Sequence, residues 1–122
     1  MGANQKGTFM QNFVAYTNAV DLVRALAPLI EQLKAHSSKL ADQLERAASS
    51  IVLNVAEGAR RHGRDPRRFY GMANGSASEA RAVLDVASAM GWVMNDREAR
   101  DLLDRELRLL WGLTHSRTRK AS

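Results

Sequence analysis

The 122-residue sequence contains no cysteine, two prolines and few aromatic residues, with three phenylalanines, two tyrosines and two tryptophans. Without cysteine there is neither a disulfide framework nor a thiolate metal site, so stability has to come from a packed core. A chain of this length buries about two thirds of its surface on folding, enough for such a core without staples. The longest nearly apolar run, ALAPLI at residues 25–30, falls short of the roughly 20 residues of a membrane-spanning helix. The start MGANQKGTF has no apolar stretch of the kind a signal peptide carries. We therefore expect one soluble, cytoplasmic domain with no membrane partner.

Several catalytic patterns are also missing. Neither G-x-G-x-x-G nor the Walker phosphate loop occurs, and there is no G-x-S-x-G elbow. Ser49, Ser50, Ser76 and Ser78 have no histidine nearby in sequence to act as base. The histidines are His36, His62 and His115, and the Glu-x-x-His pair of di-metal bundles is absent: Glu57 is followed at that spacing by Arg60, and Glu79 by Ala82. No catalytic residue, metal or cofactor is expected, and the protein is read as not an enzyme.

What the chain does have is positive charge, unevenly placed. The net charge is +5. Residues 58–71 hold Arg60, Arg61, Arg64, Arg67 and Arg68 against Asp65, a local +4, and the tail from Thr114 adds +3 through Arg117, Arg119 and Lys120. Two basic patches on a slightly acidic body point to an anionic partner. Arginine, which supplies 14 of the 18 cations, suits bidentate contact with phosphate.

Hydrophobic periodicity predicts four helices and no strand. The first is expected to open at Thr8, with Gln11 completing a capping box. It carries Phe13, Tyr16, Val20, Val23, Ala27 and Ile30 on one stripe and Ala19, Leu22, Leu26, Leu29 and Leu33 on another. Pro28 should kink it or end it near Ala27. Two stripes exceed what one bundle core takes from one helix, so the surplus, with Trp92 and Trp111, suggests a subunit interface. Candidate caps at His36-Ser37-Ser38 precede a second helix with Leu40, Leu44, Ala47, Ile51, Asn54 and Gly58 inward. Asp65-Pro66 starts a third with Phe69, Ala73, Ser76, Ala80, Val83, Ala87 and Met90 inward. Gly91 ends it, and Asn95 with Glu98 opens a fourth carrying Leu102, Leu103, Leu107, Leu110 and Leu113. The fold class is all-α, an antiparallel up-down four-helix bundle spanning 8–114, with a flexible N-terminus at 1–7 and a basic disordered tail at 115–122.

An antiparallel pairing of helices two and three about their short turn sets Glu57 level with Phe69 and Arg68, and Arg46 level with Glu79. Arg46, Ser50, Asn54 and Glu57 share one face of helix two. With Ser76 and Glu79 they are expected to form a structural polar seam that sets register, and Glu79→Ala to destabilise the protein. Gly71 and Gly75, opposite Ala47 and Ala48, should form a close helix contact. Arg60, Arg61, Arg64, Arg67 and Arg68 are the candidate nucleic-acid-binding residues. Their turn adjoins the amino end of a helix, which favours anions. Phe69 belongs to the core stripe in this reading, leaving Tyr70 as the residue able to stack on a base.

The stretch QLERAASSIVLNVAEGARR, followed after HGRDP by RRFYGMANGSASEARAVLDVASAMGWV, resembles the bacterial four-helix-bundle family of 23S ribosomal RNA intervening-sequence proteins. Arg46-Ala47, Ser50-Ile51, Asn54, Ala56-Glu57-Gly58, Phe69, Gly75-Ser76 and Glu79 carry the likeness. The family's usual aromatic–proline pair between helices one and two is replaced here by Pro28 within an Ala/Leu run. The resemblance implies a ring-like homo-oligomer, a pentamer, and a relationship to the accessory protein of diversity-generating retroelements, which binds nucleic acid and reverse transcriptase. The expected function is therefore non-enzymatic binding of RNA, DNA or a nucleoprotein through the Arg-rich turn. The alternative is a scaffold that recruits a protein such as a reverse transcriptase.

Overall fold

A computed structural model describes the backbone of residues 2–63, 65–93 and 95–121 and the side chains of residues 10–63, 65–93 and 95–115. Four helices follow one another: α1 (Gly2–Lys34), α2 (Ser38–Arg60), α3 (Asp65–Ala89) and α4 (Arg97–Ala121). Arg81 pairs with Asp104 and Arg100 with Asp85, so numbering falls on α4 as it rises on α3. Ser50 and Ser76 likewise bond across α2 and α3, in the antiparallel register read from the sequence. The architecture is the expected up-down bundle. Its α1–α2 and α3–α4 turns share one end, where His36 stacks on Trp92. The α2–α3 turn lies at the other end, with the start of α1 and the end of α4.

Local chemistry explains the helix boundaries. Ser37 caps α2, its side chain accepting from the Leu40 amide at 3.1 Å. Gly91, at φ +75°, ends α3. Its amide bonds to Ser88 O and that of Trp92 to Ala87 O, closing the last turn as a Schellman motif that needs a left-handed residue. Two expected starts move. The α1 backbone is helical from Gly2, ahead of Thr8, and α4 continues through Ala121, so helical backbone enters both segments set apart from the bundle. Asn95 takes φ 61°, and the first backbone bond of α4 runs from Arg100 to Asp96 O. Asp96 therefore caps the helix in place of Asn95. Pro28 sits on the exposed side of α1 without ending it.

The core is lined by Ala15, Ala19, Leu22, Leu26, Leu29 and Leu33 of α1, with Leu44, Ile51, Val55, Ala73, Ala77, Ala80, Leu84, Leu103 and Leu110. By length and composition alone, Met10–Lys34 is apolar enough to cross a membrane. Uninterrupted runs had hidden this, because Thr17, Asn18, Asp21 and Arg24 break the stretch. In the bundle its Leu22, Leu26 and Leu33 are fully buried, as expected of a core helix. The first stripe of α1 divides along its length: Phe13 is 56% exposed and Tyr16 41%, whereas Val23 packs against the core and Ile30 is buried in it.

Two packing expectations on α3 are corrected. Tyr70 is 2% exposed and belongs to the core, whereas Phe69 is half-buried and Met90 is exposed. Helix α3 is rotated so that Tyr70, Ala73, Ala77, Ala80 and Leu84 point inward, a path the small alanines permit. Gly71 and Gly75 therefore face outward, and a Cβ on either would meet nothing within 4 Å. The close approach is at Gly58, where a Cβ would lie 2.5 Å from Tyr70 Cε1. The Tyr70 ring thus occupies the space a side chain would need, and its hydroxyl donates to Asn12 Oδ1 at 2.6 Å.

Candidate nucleic-acid interface

The α2–α3 turn is a short exposed connection in which Glu57 organises two arginines. Arg60 Nη2 donates to Glu57 Oε1 at 2.6 Å, and Arg61 Nε donates to Glu57 Oε2 at 2.8 Å. These are the three- and four-residue spacings that bring helical side chains together. Arg61 reaches on to Asp65 Oδ2 at 3.5 Å, linking the end of α2 to the start of α3. Hydrogen bonds from Arg60 and Arg61 hold the Glu57 carboxyl below its ordinary range, because they favour the charged form.

Phe69 carries two cations on its ring, Arg61 again and Arg68. The Arg61 guanidinium carbon is 4.8 Å from its ring centroid and that of Arg68 is 5.3 Å away, within the range of cation–π attraction. The sequence reading missed this stack because it assigned Phe69 to the core. The signal was available: Arg61, Arg68 and Phe69 adjoin one short turn. Arg60, Arg61, Arg67 and Arg68 are all exposed, and Arg64 lies outside the described residues. The topology adds one juxtaposition, since α4 ends at the end of the bundle that carries this turn. The backbone of residues 116–121, with Arg117, Arg119 and Lys120, therefore projects from the same end.

The six residues expected to form a polar seam divide into three groups. Ser76 Oγ donates to Ser50 Oγ at 2.9 Å, and Asn54 Nδ2 donates to both Ser50 O and Ser50 Oγ at 2.9 Å. Glu57 is drawn to the turn arginines instead. Arg46 and Glu79 are exposed, and among the described residues no ion pair joins them. Both extend from the outer flanks of their helices, where water competes with pairing. Glu79→Ala is accordingly expected to be nearly silent in the folded subunit.

A residue the sequence reading passed over lies on the α1–α4 seam. Glu106 is 0% exposed. Its Oε1 accepts from Asn18 Nδ2 at 2.8 Å, and Asn18 Nδ2 also bonds to Leu102 O at 3.0 Å. Glu106 stands three residues after Leu103 and four before Leu110, so the helical stripe itself pointed to burial. Among the described residues no group of three or more His, Cys, Asp or Glu is placed to hold a metal ion.

The comparison with curated proteins returned no match. A scan against protein families matches residues 11–111 to the family described as 23S rRNA-intervening sequence protein. The match spans all four helices and both sides of the arginine turn, and on it the chain belongs to the family of 23S rRNA-intervening sequence proteins.

Proposed function

We propose that the protein is a non-enzymatic, homo-oligomeric helical bundle that binds nucleic acid, RNA first, through the α2–α3 turn. The observation that carries this reading is the exposed arginine cluster of that turn, with Arg61 and Arg68 on Phe69. The basic end of α4 at the same end of the bundle supports it. The family description refers to 23S rRNA, which makes RNA the first probe. Arginine held on a ring keeps N–H donors available to phosphate while losing little side-chain freedom. Contacts of this kind position a backbone without reading sequence, and their affinity falls steeply with salt. Glu57 and Asp65 offset part of the charge, so binding is expected to be moderate per subunit and to gain from several copies. The test is a fluorescence titration with structured RNA and with DNA at two salt concentrations. Replacing Arg60, Arg64 and Arg68 by alanine should weaken binding and flatten its salt dependence. Affinity unchanged by those replacements contradicts the assignment.

A second reading is favoured by the exposed side chains of Met10, Phe13 and Tyr16 on α1. An apolar face of this kind suits a protein partner, either another subunit of a ring-like pentamer or a recruited enzyme such as a reverse transcriptase. Light scattering separates assembly from isolation: a species of 13.5 kDa would rule out a stable oligomer.

A further inference from the structure

The α1–α4 seam carries a buried acid that neither the turn nor any catalytic role explains. Among the described residues the buried polar side chains are Asn18 and Glu106. They face each other across that seam, and Glu106 Oε2 is buried with no hydrogen-bond partner. Two other seams manage their polar groups differently: α2–α3 closes the Ser50–Ser76 bond, and α3–α4 leaves its ion pairs near solvent. An ionised carboxylate with one amide donor in a buried, apolar setting is costly, whereas a protonated carboxyl is far less so.

Among the described residues no cation forms a hydrogen bond or ion pair with Glu106. From α1, Glu106 meets Asn18, which does not titrate. From its own helix, exposed Arg105 acts on it through charge. The buried residues of α2 are Ala41, Leu44, Ala47, Ala48, Ile51, Val55 and Gly58. Those of α3 are alanine, valine and leucine apart from Tyr70, whose hydroxyl is engaged by Asn12. We propose that Glu106 is a proton-dependent latch on the α1–α4 seam, holding α1 docked when its carboxyl is protonated and loosening α1 when it ionises. Burial pushes this carboxyl from 4.5 up to about 7, with the Asn18 bond and the Arg105 charge opposing the shift. The latch therefore works across neutral pH. Because the docked state binds a proton that the open state releases, docking is fully stable at pH values below the ordinary carboxylate range. It weakens as pH rises toward 7 and levels off above.

The test is hydrogen exchange on the whole protein between pH 5 and 8.5, corrected for the intrinsic pH dependence of exchange. In the wild type, protection of α1 amides around Asn18 should fall by up to about tenfold per pH unit below pH 7 and then flatten. Amides of α2 and α3 should change much less. Glu106→Gln, which keeps an oxygen for Asn18 but cannot ionise, should hold α1 protection constant across the range. Identical pH profiles in the two proteins, or an equal loss of protection in all four helices, would overturn the latch. Carboxyl NMR of the unmutated protein provides an independent reading should the variant not fold. A Glu106 midpoint near 7 supports the proposal, and one near 4.5 refutes it.

Discussion

At the α2–α3 turn, Glu57 accepts from two guanidinium groups and is held below its ordinary range. On the α1–α4 seam, Glu106 has one neutral donor and is pushed up to about 7. The two side chains are chemically identical, so the contrast isolates the effect of surroundings. Cations within hydrogen-bond reach stabilise the charge at the turn, and burial penalises it on the seam. Their contributions to stability run in opposite directions with pH. The contribution of Glu57 is present above the ordinary carboxylate pKa of 4.5 and is lost as acid protonates it. That of Glu106 is present below 4.5 and is lost as pH rises toward 7. At the turn Glu57 therefore stays ionised at neutral pH and remains paired with Arg60 and Arg61. The seam instead has a reserve that neutral pH can draw on.

The sharpest way to break the contrast is to remove the buried charge. At pH 8, Glu106→Gln should exceed the wild type in urea-denaturation stability by up to about 3 kcal/mol, the free-energy equivalent of the pKa shift. The difference should shrink toward pH 4. Gly58→Ala tests the close approach of α2 to the Tyr70 ring. A Cβ 2.5 Å from the Tyr70 ring must displace that ring, and overpacking of this kind should cost about 1–3 kcal/mol in the same measurement. Tyr70→Phe keeps the ring and removes the bond to Asn12, with an expected loss of about 1 kcal/mol. The smallest effect on stability should come from Glu57→Gln at the solvated turn. There the readout is RNA affinity, which should rise a few-fold at low salt as Arg60 and Arg61 lose their internal competitor.

Much of this architecture was legible from the residues. Ser37 acts through its own hydroxyl and Pro66 and Gly91 through backbone requirements, all of them local, so the turns they mark fall where expected. The Ser50–Ser76 pairing followed from a short turn and antiparallel geometry. Rotation of α3 was not legible, because Phe69 and Tyr70 are adjacent and either could begin an inward stripe over so many small residues. Only the missing side chain at Gly58, which makes room for the Tyr70 ring, decides between them. That choice carried the candidate site with it, releasing Phe69 to lie beneath Arg61 and Arg68. Glu106 was overlooked because a leucine-rich helix was read by its leucines, although its spacing from Leu103 and Leu110 placed it on the same stripe. The division of the polar residues into a serine–asparagine cluster and a glutamate–arginine cluster depended on side-chain reach, which helical spacing alone does not specify.

The functional claim, that the turn rather than the rest of the bundle receives nucleic acid, is tested most directly by amide NMR during titration with an RNA hairpin at low salt. Shifts concentrated on residues 57–70 and at the end of α4, with Asn18 and Glu106 unmoved, are the predicted result. Shifts centred on α1, or no shifts at RNA concentrations well above that of the protein, would contradict it.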